Sequence, residues 1–171
     1  MNKVFWLSMM MTFFSSFLLA QHPVMDPSDV VINFDAGDTI EKPSWGTMVK
    51  WVRTPRLGWN TDSFKAYFYK GMPFRIKWPA NYDPSGNTKY PMIIMLHGRG
   101  ESGSIYDNEF QMKHGGQKHR DAVDNGTWPG FVVFPQNESG YFGESHYNII
   151  NDLINNHFPL LHVDVNRISM H

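Results

Sequence analysis

Hydrophobic and polar positions change their spacing along this chain, and each change marks an element. Residues 63–69 set Phe64, Ala66 and Phe68 against Lys65, Tyr67 and Tyr69, and residues 73–78 set Phe74, Ile76 and Trp78 against Arg75 and Lys77. A period of two predicts a pair of antiparallel strands with one face toward a core. Lys70, Gly71 and Met72 form the connecting loop, where Gly71 is free to take a positive φ. After Pro79, the run Asn81-Tyr82-Asp83-Pro84-Ser85-Gly86-Asn87 carries turn chemistry at nearly every position and predicts a surface loop.

Beyond that loop the alternation stops. Met92-Ile93-Ile94-Met95-Leu96 and Phe131-Val132-Val133-Phe134 are apolar on both faces, the pattern of parallel strands sandwiched by helices. The connections are long enough for the helical crossovers that parallel pairing requires. One helix is legible from Tyr147 onward, where Ile150, Leu153, Ile154 and His157 or Phe158 share a face. Ser145 is placed as its N-cap and Pro159 as its stop. Residues 166–170 predict a third, short parallel strand. Upstream, residues 30–34 and 48–52 alternate weakly and predict edge strands within a segment, 21–60, rich in Pro, Asp, Gly and Trp. Two readings of that segment stand: a packing extension or the remnant of a small β module, and a carbohydrate-contacting surface built on Trp45, Trp51 and Trp59.

The first 20 residues follow neither period. Lys3 precedes a run from Val4 to Leu19 that is apolar apart from Ser8, Thr12, Ser15 and Ser16, and Ala20 offers a small residue before Gln21. This predicts a cleaved secretory leader and a secreted or periplasmic protein. The competing reading, a membrane anchor, needs roughly 17 apolar residues and is disfavoured by the hydroxyls and the single flanking charge; no stable anchor is expected. The chain has no Cys, which excludes disulfide staples and a lipidated cysteine after the leader. Fifteen basic residues oppose 16 acidic ones without any basic block, so no nucleic-acid partner is expected.

The chemistry concentrates where the first doubly apolar strand ends, at Leu96-His97-Gly98-Arg99-Gly100-Glu101-Ser102-Gly103. A strand running into His-Gly-x-Gly resembles the α/β-hydrolase fold, and more narrowly the secreted esterases and predicted peptidases that carry a Leu-His-Gly-x-Gly-Glu-x-Gly segment. The likeness runs from about Phe64 to His171. It implies an α/β architecture, a parallel sheet with an antiparallel N-terminal hairpin and helices on both faces, incomplete in this chain. In that family the loop after this strand supplies one backbone N–H to the oxyanion hole. By position the donor is the N–H of Arg99, supported by His97, Gly98 and Gly100, whose glycines leave the amide unobstructed. The Arg99 side chain has two readings, pointing into a cleft or solvated and ion-paired. His97 is expected to fix the loop, since the family's catalytic His follows the nucleophile in the order Ser, Asp or Glu, His; a general-base role is the alternative. Glu101 is expected to orient the loop through backbone hydrogen bonds.

No Gly-x-Ser-x-Gly pentapeptide occurs. Gly100-Glu101-Ser102-Gly103-Ser104 has its glycine one place early, and Gly143-Glu144-Ser145-His146-Tyr147 lacks the last one. The resemblance therefore implies a nucleophile, acid and base beyond His171, and a segment from 61 to 171 that is the N-terminal part of a hydrolase domain, inactive by itself and not stably folded alone. Its expected substrate is a small-molecule or polysaccharide-linked ester, cleaved without a cofactor or metal through an acyl-enzyme. A peptidase of the same fold and a non-catalytic glycan-binding protein remain as alternatives. His114 and His119, flanking Gly115-Gly116-Gln117-Lys118, read as a flexible surface loop, a poor metal site without a third ligand. Asn125-Gly126-Thr127 and Asn137-Glu138-Ser139 match glycosylation sequons.

Overall fold

The computed structural model describes residues 25–33, 49–50, 52–53, 57–104 and 107–171. The leader, Trp45 and Trp51 lie outside them. In chain order the elements are β1 (Ile32–Asn33), β2 (Val49–Lys50), β3 (Val52–Arg53), β4 (Lys65–Tyr69), β5 (Met72–Lys77), β6 (Tyr90–Ile94), α1 (Gly116–Asp124), β7 (Phe131–Pro135), α2 (Glu144–Asp152) and β8 (Val163–Met170). Strands β1 and β3 pair in parallel as a small two-stranded sheet, and the others form a six-stranded sheet in the order β2-β4-β5-β7-β6-β8. Pairing is antiparallel from β2 through β7, and parallel between β7 and β6 and between β6 and β8.

The hairpin forms one residue tighter than the alternation predicts. Tyr69 pairs with Met72, so only Lys70 and Gly71 turn, at φ 47° and 88°. Two successive positive φ angles give the turn whose twist matches that of the flanking strands, which places Met72 in β5. Lys70 accepts this left-handed conformation although it carries a Cβ. Its ammonium is held by the Asp152 carboxylate on α2, which also accepts the Tyr69 hydroxyl at 2.6 Å and the Asn156 amide. Burial alone would raise the Asp152 pKa, but hydrogen bonds from Lys70, Tyr69 and Asn156 outweigh it and hold the carboxyl at about 2.

The expectation of a one-sided hairpin fails at β5, where every residue is buried. This strand lies between β4 and β7 in the sheet and is covered on both faces, and Arg75 and Lys77 reach partners on the segments that cover it. Arg75 is fully buried and donates to Thr61 O at 2.8 Å and Asn108 O at 3.4 Å. Lys77 reaches Asp124 of α1 at 2.7 Å. Alternation of polar and apolar residues here separates two interiors, because long amphipathic side chains can bury their stems beneath a covering layer. The converse correction applies to β6: Met92 and Ile94 are buried, whereas Pro91 and Ile93 are half-buried. One face meets the larger core of Ile76, Phe131, Val133, Ile150, Leu153 and Phe158, and the other meets the smaller cluster of Phe64, Met112, Val123, Val132 and Phe134 only in part.

Helix α2 starts one residue before the expected cap. Gly143 is the N-cap, its amide donates to His146 Nδ1 at 3.2 Å, and its carbonyl accepts from the His146 and Tyr147 amides. The imidazole at the third helical position thus accepts the N-cap amide, the return half of a capping box, and Ser145 is not the cap. Pro159 does not stop the helix either. The chain passes through a π turn (Leu153–His157) into a 3₁₀ turn (Phe158–Leu161), where proline fits because first-turn amides need no partner. His162, at φ 60°, ends it, and β8 begins at Val163, three residues earlier than expected. The segment from His114 to His119, expected as a flexible surface loop, instead leads into α1, which begins at Gly116 and is entered through Gly115 at φ 91°.

Gly130 enters β7 with no room for a side chain: an added Cβ would lie 2.4 Å from Pro91 O and 2.9 Å from both Pro91 Cγ and Trp128 Cε2. Gly130→Ala is expected to push β7 from β6 and lower stability by about 3 kcal/mol, at the upper end of overpacking costs. Urea unfolding monitored by tryptophan fluorescence checks this.

Candidate functional site

After β6 the chain moves to β7 on one side, then crosses to β8 on the other, with α1 packed on one face of the sheet and α2 on the opposite face. Such a reversal opens a crevice at the carboxyl ends of the strands. Strand β6 lies at that reversal, and its continuation is the segment singled out in the sequence. The ladder runs past the strand ends, since Leu96 N donates to His171 O at 2.7 Å, His171 N donates to Ile94 O at 3.0 Å and Met95 N donates to Val133 O at 2.8 Å. Residues 97–100 therefore rise from an interior strand, beside His171 and the end of β7.

His97 is half-buried, with Phe142 edge-on at 5.1 Å. Its Nδ1 lies 2.7 Å from Gly98 O and its Nε2 lies 3.1 Å from Asn137 N. A carbonyl only accepts and an amide N–H only donates, so the proton sits on Nδ1 and Nε2 is bare. Burial lowers the His97 pKa first; the Gly98 carbonyl and Glu101 pull it up in part, and His146 lowers it further. Both ring nitrogens are thus engaged by the chain's own backbone.

In a trans peptide the C=O and N–H of one unit point in opposite directions. The Gly98 carbonyl gripped by His97 shares its peptide unit with the Arg99 N–H, so the same contact turns that N–H away from the imidazole. Arg99 opens a 3₁₀ turn (Arg99–Glu101), and its amide donates to nothing among the described residues, as first-turn amides do. Its side chain lies along Gly140, whose added Cβ would come 3.2 Å from Arg99 Cγ.

The Glu101 carboxylate, expected to orient the loop through backbone hydrogen bonds, meets a side chain instead. Its Oε1 is 3.0 Å from His114 Nε2, and its Oε2 would sit 3.2 Å from a Cβ at position 98. At Gly98, whose φ is −82°, a side chain would crowd this carboxylate, which would have to shift by a few tenths of an ångström. A Cβ at Gly100 would meet nothing within 4 Å, so no described part of the chain demands glycine there.

The loop is pinned by residues the sequence reading passed over. Gly103 N donates to Asn137 O at 3.1 Å, and a Cβ on Gly103 would collide with Asp107 Cβ at 2.5 Å. Gln136 is fully buried, and its amide donates to Glu101 O and Asp107 O, both at 3.2 Å. Asn137 is 2% exposed, and its Oδ1 accepts from Ser139 N at 3.1 Å and Gly140 N at 2.9 Å. That removes Asn137 as a glycosylation site, whereas Asn125 is exposed. The available signal was an uncharged polar pair directly after an apolar strand, in Phe134-Pro135-Gln136-Asn137.

His114 and His119 do not come together as ligands. His114 faces Glu101, and His119 packs on α1 edge-on to Phe134 at 5.9 Å. Among the described residues no group of three or more His, Asp or Glu is arranged to hold a metal, and no helix is long and apolar enough to cross a membrane. Trp59 packs against Phe64 at 6.3 Å, beneath the Arg120 guanidinium and against Gly116. It is half-buried and packs against the smaller core.

No protein-family model matches the chain, and no curated protein matches it. A solved structure described as the crystal structure of a thermostable esterase resembles it with a TM-score of 0.50 and 26% identity, over 64% of this chain and 34% of that one. This chain thus spans about a third of that esterase's length. This chain has an α/β fold with a mixed sheet, consistent with that likeness.

Proposed function

We propose that this chain is the oxyanion-loop portion of a secreted or periplasmic serine hydrolase that cleaves carboxylic esters through an acyl-enzyme. The observation that carries the reading is the Arg99 amide, without an acceptor among the described residues in the loop after β6, with its direction imposed by the His97 hold on the Gly98 carbonyl. A donor fixed before the substrate arrives stabilises a tetrahedral oxyanion without reorganising during the reaction. The nucleophile, acid and base would come from residues beyond His171 in a longer protein, and the likeness to an esterase supports an ester over an amide substrate. Serine attack would form the tetrahedral intermediate, Arg99 N–H would hold one side of its oxyanion, and water would release the acid. Residues 1–171 alone are expected to hydrolyse nothing.

Full-length protein is expected to cleave p-nitrophenyl acetate and not peptide anilides; cleavage of the anilides alone would replace the esterase reading with a peptidase. A single substitution tests the amide. Arg99→Pro deletes the N–H together with the side chain and leaves the backbone path intact, because Gly98 at ψ 177° already has the extended backbone a following proline requires, and proline suits the first position of a helical turn. It is expected to lower kcat/KM about 100- to 1000-fold, while Arg99→Ala, which keeps the N–H, stays within about tenfold. Equal effects of the two would refute the amide's role.

Burial lowers the pKa of His97, His119 and His146 below the usual imidazole value. Each group takes up its proton more readily unfolded than folded. The stability from keeping them neutral is therefore complete above about pH 6.5 and is lost as pH falls through the lowered values. Urea midpoints are expected to fall between pH 7 and pH 5, and His119→Gln should shallow that fall.

A further inference from the structure

A row of buried side-chain amides lies under the loop, and its hydrogen bonds run in one direction. Asn108 Nδ2 is 3.4 Å from Tyr67 O and 3.3 Å from Phe74 O. Those carbonyls only accept, which orients the Asn108 amide and aims its Oδ1 at Gln111 Nε2, 2.7 Å away. Gln111 Oε1 then accepts from Gln136 Nε2 at 3.3 Å, and Gln136 Oε1 accepts from Asn137 N at 3.0 Å. Asn108, Gln111, Gln136 and Asn137 are each no more than 2% exposed, so water does not compete for these contacts. Reversing any one amide would set donor against donor in a place where an unmet polar group costs roughly 1–3 kcal/mol.

The row ends on His97. Asn137 presents two donors to the imidazole Nε2, its backbone N–H at 3.1 Å and its side-chain Nδ2 at 3.2 Å. Its Oδ1 is occupied by Ser139 N and Gly140 N, which fixes which end of the amide faces the ring. We propose that Asn137, backed by Gln136, Gln111 and Asn108, is a positioning residue: by presenting only donors to His97 Nε2 it keeps the proton on Nδ1, where it grips the Gly98 carbonyl and aims the Arg99 amide into the crevice. The significance for catalysis rests on the hydrolase reading above; the tautomer itself does not. The charged and titratable neighbours of the ring are Glu101, which favours its cation, and His146, which opposes it.

Asn137→Asp separates this role from a purely architectural one. Aspartate retains an oxygen for the Ser139 and Gly140 amides and replaces the Nδ2 donor with a second carboxylate oxygen facing Nε2. Imidazole nitrogen chemical shifts, followed by NMR across pH in the intact protein, read both tautomer and titration. The unsubstituted protein is expected to show neutral His97 protonated at Nδ1. Asn137→Asp should bring a proton to Nε2 and raise the His97 midpoint by about 1–3 pH units, while Ser139→Ala, which leaves the 139 amide in place, should change neither. An Nε2-protonated neutral ring in the unsubstituted protein would overturn the proposal without any variant having to fold. So would a His97 titration unmoved by Asn137→Asp. Should the shifts appear as expected while full-length protein hydrolyses no ester, the hydrolase reading fails and the positioning of the peptide stands.

Discussion

A strand hydrogen-bonded along both edges can turn its backbone toward something new only where its ladders end. Strand β6 is bound to β7 on one side and β8 on the other, and the ladder with β8 persists to His171. The first peptide units released from it are those after Leu96, and they emerge where the carboxyl ends of three parallel strands come together. The position of the candidate site follows from that constraint. Everything near it, from the tight 3₁₀ turn to the buried Gln136 below, serves to hold a short piece of backbone that the sheet no longer holds.

Holding it takes polar groups in unusually dry surroundings. His97, Asn137, Gln136, Gln111 and Asn108 form a continuous path from the backbone of β4 and β5 to the loop after β6. A buried polar network is stabilising only when its members are satisfied, and backbone groups fix each amide's direction: the Tyr67 and Phe74 carbonyls orient Asn108, the Glu101 and Asp107 carbonyls Gln136, and the Ser139 and Gly140 amides Asn137. Apolar packing could fill the same space, but it could not dictate which way a peptide plane faces. The same logic recurs away from the site, where Asp152 gathers Tyr69, Lys70 and Asn156 and ties the hairpin turn to α2.

The esterase likeness and the loop geometry bear on different levels. The likeness concerns the fold, over about a third of that esterase's length. The geometry concerns one peptide unit, and its logic would hold for any reaction that builds negative charge on an oxygen.

Short-range pattern made much of this legible. The period of two marked β4 and β5, continuous apolar runs marked β6 and β7, and the apolar stripe from Ile150 to Phe158 marked α2, because each reflects how one element meets the core. The His-Gly-x-Gly segment stood out for the same reason, as a break in pattern directly after a strand. What pattern could not show was which side chains the sheet order would bury together. Arg75 and Lys77 alternate as outward-facing residues do, yet the segments carrying Thr61 and Asn108 cover the first and α1 meets the second; Trp59 resembles a surface aromatic, yet α1 packs against it. Asn108, Gln111, Gln136 and Asn137 are spread over 30 residues of chain with no periodicity, and only the return of β7 beside β6 puts them in one row. By itself the sequence determined the elements and the loop where the chemistry gathers, since those depend on neighbours a few residues apart. The tautomer of His97, the direction of the Arg99 amide and the burial of the polar row were decided by tertiary structure, because each depends on donors and acceptors that meet only after distant strands have paired.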